Sequence, residues 1–231
     1  MCGRVATPPT GDILKEFDIK SKGGEWTRDI NVPPMGTVPV IDNRHPNELD
    51  YKQWSLVPWY SKPDPKTGKP INKLSTFNAR YDKLLTSGVW KPLLGKKHCV
   101  VIVNGYYEWE ELDEWADEKK KKKKKQPHFI KQKGEDFTLL AGLWDDWVNK
   151  STGEVVTSCT VITHEAVEAW GKIHNRMPAF LTREGSNIWL NNDIPLEERL
   201  EVIKPKGESF LESVKINQVG DVEEFEHVVF H

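Results

Sequence analysis

Cysteine at position 2, behind the initiator methionine and ahead of Gly3, is the residue from which most chemistry could follow. Met1 is normally removed when the next side chain is this small, and the chain would then begin with a cysteine bearing a free α-amine. That pairing of amine and thiol on adjacent carbons exists nowhere else in a polypeptide. An α-amine with a pKa of about 7.7–8.0 is unprotonated to a substantial extent near neutrality, whereas a lysine at about 10.4 is not. The thiol beside it, with a free pKa of about 8.5, is a soft nucleophile as its thiolate. Together they can condense with an aldehyde and close a five-membered thiazolidine, or attack an acyl group. The bland alternative is an incidental cysteine on a frayed terminus.

Four internal positions could serve such a nucleophile. Asn78 and Arg80 (FNAR) directly follow a Pro/Gly-rich loop. Glu108 ends a strand-like run between Tyr107 and Trp109, and His174 lies in a turn bounded by Gly171 and Pro178. A carboxylate buried among aromatics can work as a general acid or base, and an imidazole titrates near neutrality. Each has an ordinary reading as well: a turn asparagine, a surface arginine, a half-exposed strand end, a capping histidine.

Strands and helices alternate without regular βαβ order, which predicts an α+β fold rather than a doubly wound sheet. Short runs rich in β-branched and aromatic residues predict strands at Thr37–Ile41, Tyr51–Leu56, His98–Val103, Phe137–Trp144 and Val155–Thr163, with another near Ser213–Val219. Helices are expected at Gly11–Phe17, Glu165–Lys172, Glu184–Asn191 and Leu196–Ile203, the last opened by Pro195. Ser61–Pro70 is dense in turn residues. Glu110–Gln126 is acidic and then basic, and is expected as a solvated, charge-paired excursion of a hairpin. A nuclear-localisation or nucleic-acid role for its lysines is the sharper alternative.

At 231 residues, with 37% hydrophobic and 29% charged residues, the chain suits one globular core, so a single domain over residues 1–231 is expected. The formal charge is −2, yet seven of the 33 basic residues form one run, Lys119–Lys125. Without that run, 26 basic residues face 35 acidic ones, so bulk charge does not announce a nucleic-acid binder and any polyanion site must be a local patch. The three cysteines (Cys2, Cys99, Cys159) are widely spaced, which argues against a disulfide framework or a metal site and for a reducing compartment. No apolar run approaches the roughly 18 residues needed to span a bilayer, and the terminus lacks a signal core. An intracellular protein is expected, nuclear in a eukaryote and cytoplasmic in a prokaryote.

The chain resembles the SRAP (SOS response-associated peptidase) family. The matching segments are MCGR at the terminus, INVPP at Ile30–Pro34, WSLVPW at Trp54–Trp59, FNAR at Phe77–Arg80 and CVVIVNGYYEW at Cys99–Trp109. AGLWDDW at Ala141–Trp147, TVIT at Thr160–Thr163 and IHNRMP at Ile173–Pro178 follow in the same order. The resemblance implies a curved, mainly antiparallel sheet core flanked by helices, no cofactor, and self-attachment to abasic sites in single-stranded DNA in the DNA damage response, with unidentified replication-fork partners. It further implies, in some members, autoproteolytic removal of residues ahead of the cysteine.

Carried over by the resemblance, Cys2 would be the crosslinking nucleophile and Asn78 would position the terminal residue or the ring. Glu108 would shuttle protons and His174 would act on the opened sugar. Arg4 and Arg80 would hold flanking phosphates, and Trp59 or Tyr60 would stack on DNA. Two departures stand out: the tryptophan loop reads WSLVP-W-Y where the family has WGLxP-x-W, and the charged insertion at about 110–126 lies outside the family pattern. Two other functions compete. An N-terminal-cysteine amidohydrolase also begins Met-Cys-Gly but continues with an aliphatic residue where Arg4 stands here. A non-covalent reader of single-stranded or modified DNA would leave Cys2 incidental.

Overall fold

Runs of valine and isoleucine that bury both faces must find strand partners on both edges, and in this chain they do so by closing on themselves. The computed structural model describes residues 2–221. Its elements in chain order are β1 (Val5–Thr7), α1 (Thr10–Phe17), β2 (Lys20–Ser21), β3 (Asp29–Val32), β4 (Thr37–Asp42), β5 (Glu48–Trp54), β6 (Asn78–Arg80), β7 (His98–Val103) and β8 (Gly105–Asp117). There follow β9 (Lys122–Gln132), β10 (Thr138–Val148), β11 (Val155–Glu165), α2 (Glu168–Gly171), β12 (Arg176–Pro178), β13 (Phe180–Leu181), α3 (Arg183–Leu190), α4 (Leu196–Val202) and β14 (Leu211–Lys215).

The pairing runs from β7 to β4, β5, β11, β10 and back to β7, antiparallel throughout except for β5 against β11. The expected curved sheet thus closes into a ring, which hides the edges of its central strands. Alternate residues sort into two clusters. Val38, Val40, Val101, Cys159 and Val161 pack with Trp54, whereas Val100, Ile102, Ala141 and Ile162 pack with Trp189, Leu190 and Ile203 from the helical segments. A second, antiparallel sheet has the order β14-β9-β8-β1-β3. The chain is a single α+β domain, mostly strand.

One residue, Asn104, carries the chain from β7 in the ring to β8 in the second sheet. β7 keeps the expected bounds, His98–Val103, and the strand-like run that goes on to Glu108 belongs to a second strand, β8. Gly105 permits the crossing: a Cβ there would lie 2.5 Å from Phe129 Cζ and 2.6 Å from the Ile130 carbonyl oxygen.

Several expectations need correction. The helix expected at Glu165–Lys172 shrinks to α2, because Glu165 is still in β11, paired with Arg176. The strand expected at Tyr51–Leu56 is Glu48–Trp54, and that near Ser213–Val219 is Leu211–Lys215. Residues 110–126 are the charged hairpin excursion expected, with the difference that β8 and β9 stay paired along it where an irregular loop was expected. Glu111 lies opposite Lys125, and Asp117 opposite Lys122. Acidic and basic residues there attract across the ladder: Lys124 Nζ stands 2.7 Å from Glu114 Oε2, and Lys123 Nζ 3.2 Å from Asp113 Oδ1.

Candidate functional site

The N-terminal segment is built into the fold. Val5 of β1 lies opposite both Val32 of β3 and Tyr106 of β8, and the Tyr107 N–H donates to the Arg4 carbonyl at 2.9 Å. Continued towards the terminus, this antiparallel register sets Gly3 opposite Glu108, with Cys2 one residue further on. Cys2 is wholly buried.

Asn78 reaches Cys2 from the ring. The Trp54 indole N–H donates to the Phe77 carbonyl at 2.9 Å, and β6 lies parallel to β11 with Asn78 opposite Val161. So held, Asn78 Nδ2 donates to the Cys2 carbonyl at 2.8 Å. Asn78 Oδ1 is buried and has no hydrogen-bond partner among the described residues.

Glu108 is buried on β8. Burial and then the Glu108 charge push the Cys2 thiol well above its ordinary range, opposed by the Arg4 backbone N–H that donates to it. Tyr106 stands two residues before Glu108, hence on the same strand face. Burial, with Cys2 and Glu108 nearby, pushes its hydroxyl up too. Cys2, Asn78, Tyr106 and Glu108 thus form one buried group in which the thiol is held protonated.

A second cluster is cationic. Arg80, exposed at the end of β6, forks onto Asp82, with Nε 3.0 Å from Oδ1 and Nη2 2.9 Å from Oδ2. Arg176 is buried; its Nη2 donates to the Thr163 carbonyl at 2.6 Å, and its Nη1 lies 4.0 Å from Asp82 Oδ1. One carboxylate is therefore shared by two guanidiniums. His174 is half-buried and joins this cluster through the backbone: its Nδ1 accepts the Arg176 N–H at 3.0 Å.

The remaining expected residues are less closely tied. Arg4 Nη1 donates to Asn31 Oδ1 at 3.0 Å. Trp59 and Tyr60 are 63% and 47% exposed, their rings edge to face at 5.6 Å, on a turn closed by the Ser61 N–H to the Pro58 carbonyl. Both rings are open to solvent. Asp82, Arg176 and Tyr106 were missed from sequence. The signals were an acid two residues past Arg80, an arginine two past His174, and a tyrosine two before Glu108. Among the described residues, no cluster of His, Cys, Asp or Glu is arranged to hold a metal ion, and no helix is long and apolar enough to cross a membrane.

Comparison with known proteins places this geometry in a family. The family model described as SOS response associated peptidase (SRAP) matches residues 1–222, and the chain belongs to that family. Among its relatives is the abasic site processing protein YobE of Bacillus subtilis, 32% identical over 83% of this chain and 82% of the relative. Another is the abasic site processing protein HMCES of Xenopus tropicalis, 29% identical over 89% and 70%. A solved protein from Bacteroides thetaiotaomicron shares the fold, with a TM-score of 0.78 at 24% identity over 94% of this chain and 93% of that one. So does one from Bordetella bronchiseptica, with a TM-score of 0.74 at 18% identity over 94% and 100%.

Proposed function

We propose that this protein processes abasic sites in DNA by capturing them covalently through Cys2. The observation that carries this reading is the burial of a second-position cysteine against Asn78 and Glu108. Residues at a chain start ordinarily fray, and a cysteine held this way has a positional task.

An abasic sugar equilibrates between a closed hemiacetal and an open aldehyde. With Met1 removed, the α-amine of Cys2 adds to the aldehyde carbon, and the resulting carbinolamine loses water to give an imine. The thiol then adds across the C=N bond. Its sulfur bonds to the former aldehyde carbon and its proton passes to nitrogen, closing the thiazolidine. Because burial and the Glu108 charge hold the thiol protonated, the amine acts first. Glu108 relays the protons that dehydration and ring closure require, and Asn78 fixes the carbonyl of the reacting residue. His174 serves the opened sugar and its hydroxyls. Arg4 and Arg80 hold flanking phosphates, for which a guanidinium fork is well shaped. Trp59 and Tyr60 offer stacking surface to an unpaired base.

The test is a denaturing gel after incubation with an abasic single-stranded oligonucleotide. The native protein should give a heat-stable adduct. Cys2→Ala keeps the amine, so it should give an adduct only when borohydride reduces the imine. A retained extension ahead of Cys2 turns the amine into an amide and should abolish both adducts. A heat-stable adduct from the extended protein would overturn thiazolidine capture.

A further inference from the structure

The end of β11 extends beyond the site just described and helps to form a cavity that the capture chemistry leaves unused. Tyr81, directly after Arg80, packs against the helix-covered cluster that holds Ala79 and Ile162. Asn78 reaches Cys2 on the other side of the sheet, so Tyr81 turns away from the lesion. The His164 ring stacks on Tyr81, with centroids 5.7 Å apart at an interplanar angle of 27°. Lys204 and Pro205, beyond α4, complete an open concavity of about 420 Å³ with Asp82 and Glu165 on its wall.

We propose that this concavity receives an intact nucleobase next to the abasic site, packed against the Tyr81–His164 pair. The inference rests on the reading of Arg80 as a phosphate holder. A strand whose phosphate is fixed by Arg80 has its next nucleoside within reach of Tyr81, around the end of the sheet. The wall offers what a base needs: aromatic and proline surface for its faces, and carboxylates that accept from exocyclic amino groups. His164 is 6% exposed, and its Nδ1 has no hydrogen-bond partner among the described residues. Burial, with Arg176 and Lys206 nearby, holds its pKa down to about 4. It therefore packs as a neutral aromatic ring. Lys204 lines the opening, its Nζ paired with Glu201 at 2.6 Å, and Arg80, next to Tyr81, brings a second cation within reach of a polyanionic strand.

The experiment compares three abasic single-stranded oligonucleotides: one with intact neighbours, one with a baseless tetrahydrofuran residue on the 5′ side, and one with it on the 3′ side. Capture rates are read at subsaturating protein. Removing the base on one side should slow the native protein by at least about five-fold. Tyr81→Ala and His164→Ala should lose that sensitivity and still react at saturating protein, whereas Tyr81→Phe should keep it. Pro205→Trp, which fills the concavity and leaves the ring pair in place, should also lose it. Insensitivity of the native protein on both sides, or unchanged sensitivity in Tyr81→Ala and Pro205→Trp, would overturn the proposal. If no oligonucleotide is captured at all, the abasic-capture reading fails instead. The pocket is then judged by equilibrium binding of the same three strands, with the same outcomes.

Discussion

On the proposed capture reading, a thiol that burial keeps protonated needs a partner to exchange protons with, and Glu108 is the carboxylate whose charge acts on Cys2. Glu108→Gln preserves size and removes the exchange, so DNA affinity should hold while capture slows by about 10²–10⁴-fold, the usual range for a general acid–base group. A variant reacting at the native rate across pH 5–8 would remove Glu108 from the chemistry. Arg80 presents the opposite situation, because its fork is already occupied by Asp82. An incoming phosphate must displace that carboxylate. Asp82→Asn should therefore tighten binding to single-stranded DNA by about two- to five-fold, in line with the small worth of an exposed ion pair. Unchanged or weaker binding in a salt titration would show that Arg80 does not meet phosphate. The sequence made Cys2, Asn78 and Glu108 legible because their residue types carry the chemistry and the family motifs fix their order. Asp82 and Arg176 each stand two residues past a candidate, but their significance lies in the contact they share across the β11 end, which that spacing alone does not disclose.

Among the elements, the strands β7, β10 and β11 could be read from the sequence, β7 and β11 from runs of valine, isoleucine and threonine and β10 from its leucines and tryptophans, as burial on both faces demands. The short strands β1, β3 and β6 could not. Three or four residues carry no periodicity, and these segments are extended only because neighbouring strands pair with them. Glu165 misled for a related reason: a polar residue before an apparent amphipathic run reads as a helix start, yet here it is a strand residue held by Arg176. The β8–β9 arm could be read as a charged hairpin excursion, but its charges hid how far the strand pairing runs along it. Its ion pairs are exposed, and solvent screening leaves each of them weak. Trimming residues 111–125 to a tight turn should leave the capture rate unchanged and cost no more than about 1–2 kcal/mol of stability. Lost capture in a trimmed protein with native circular dichroism would give the arm a part in DNA engagement.

The molecule as a whole should be acid-sensitive well above the range where carboxylates titrate. His98 is buried against Trp189, with Nε2 accepting the Gly95 N–H, and burial holds its pKa down to about 3; His164 lies at about 4. Both are near 6.5 when unfolded, so below that pH the unfolded chain binds more protons than the folded one. Their contribution to stability is complete above about pH 6.5 and drains as the pH falls towards the folded values. The melting temperature should drop between about pH 7.5 and 5, and His164→Phe should lessen the drop; a flat profile over that interval would contradict it. The placement of Cys2 adds a constraint in time. An aminopeptidase must draw a chain end into its own cleft, but β1 is paired on both edges and Cys2 is sealed beneath the surface. On the capture reading proposed above, the Cys2 α-amine would then have to be freed either before the second sheet assembles or by the buried group itself. In the first case the reactive fraction of a preparation would record a race between processing and folding.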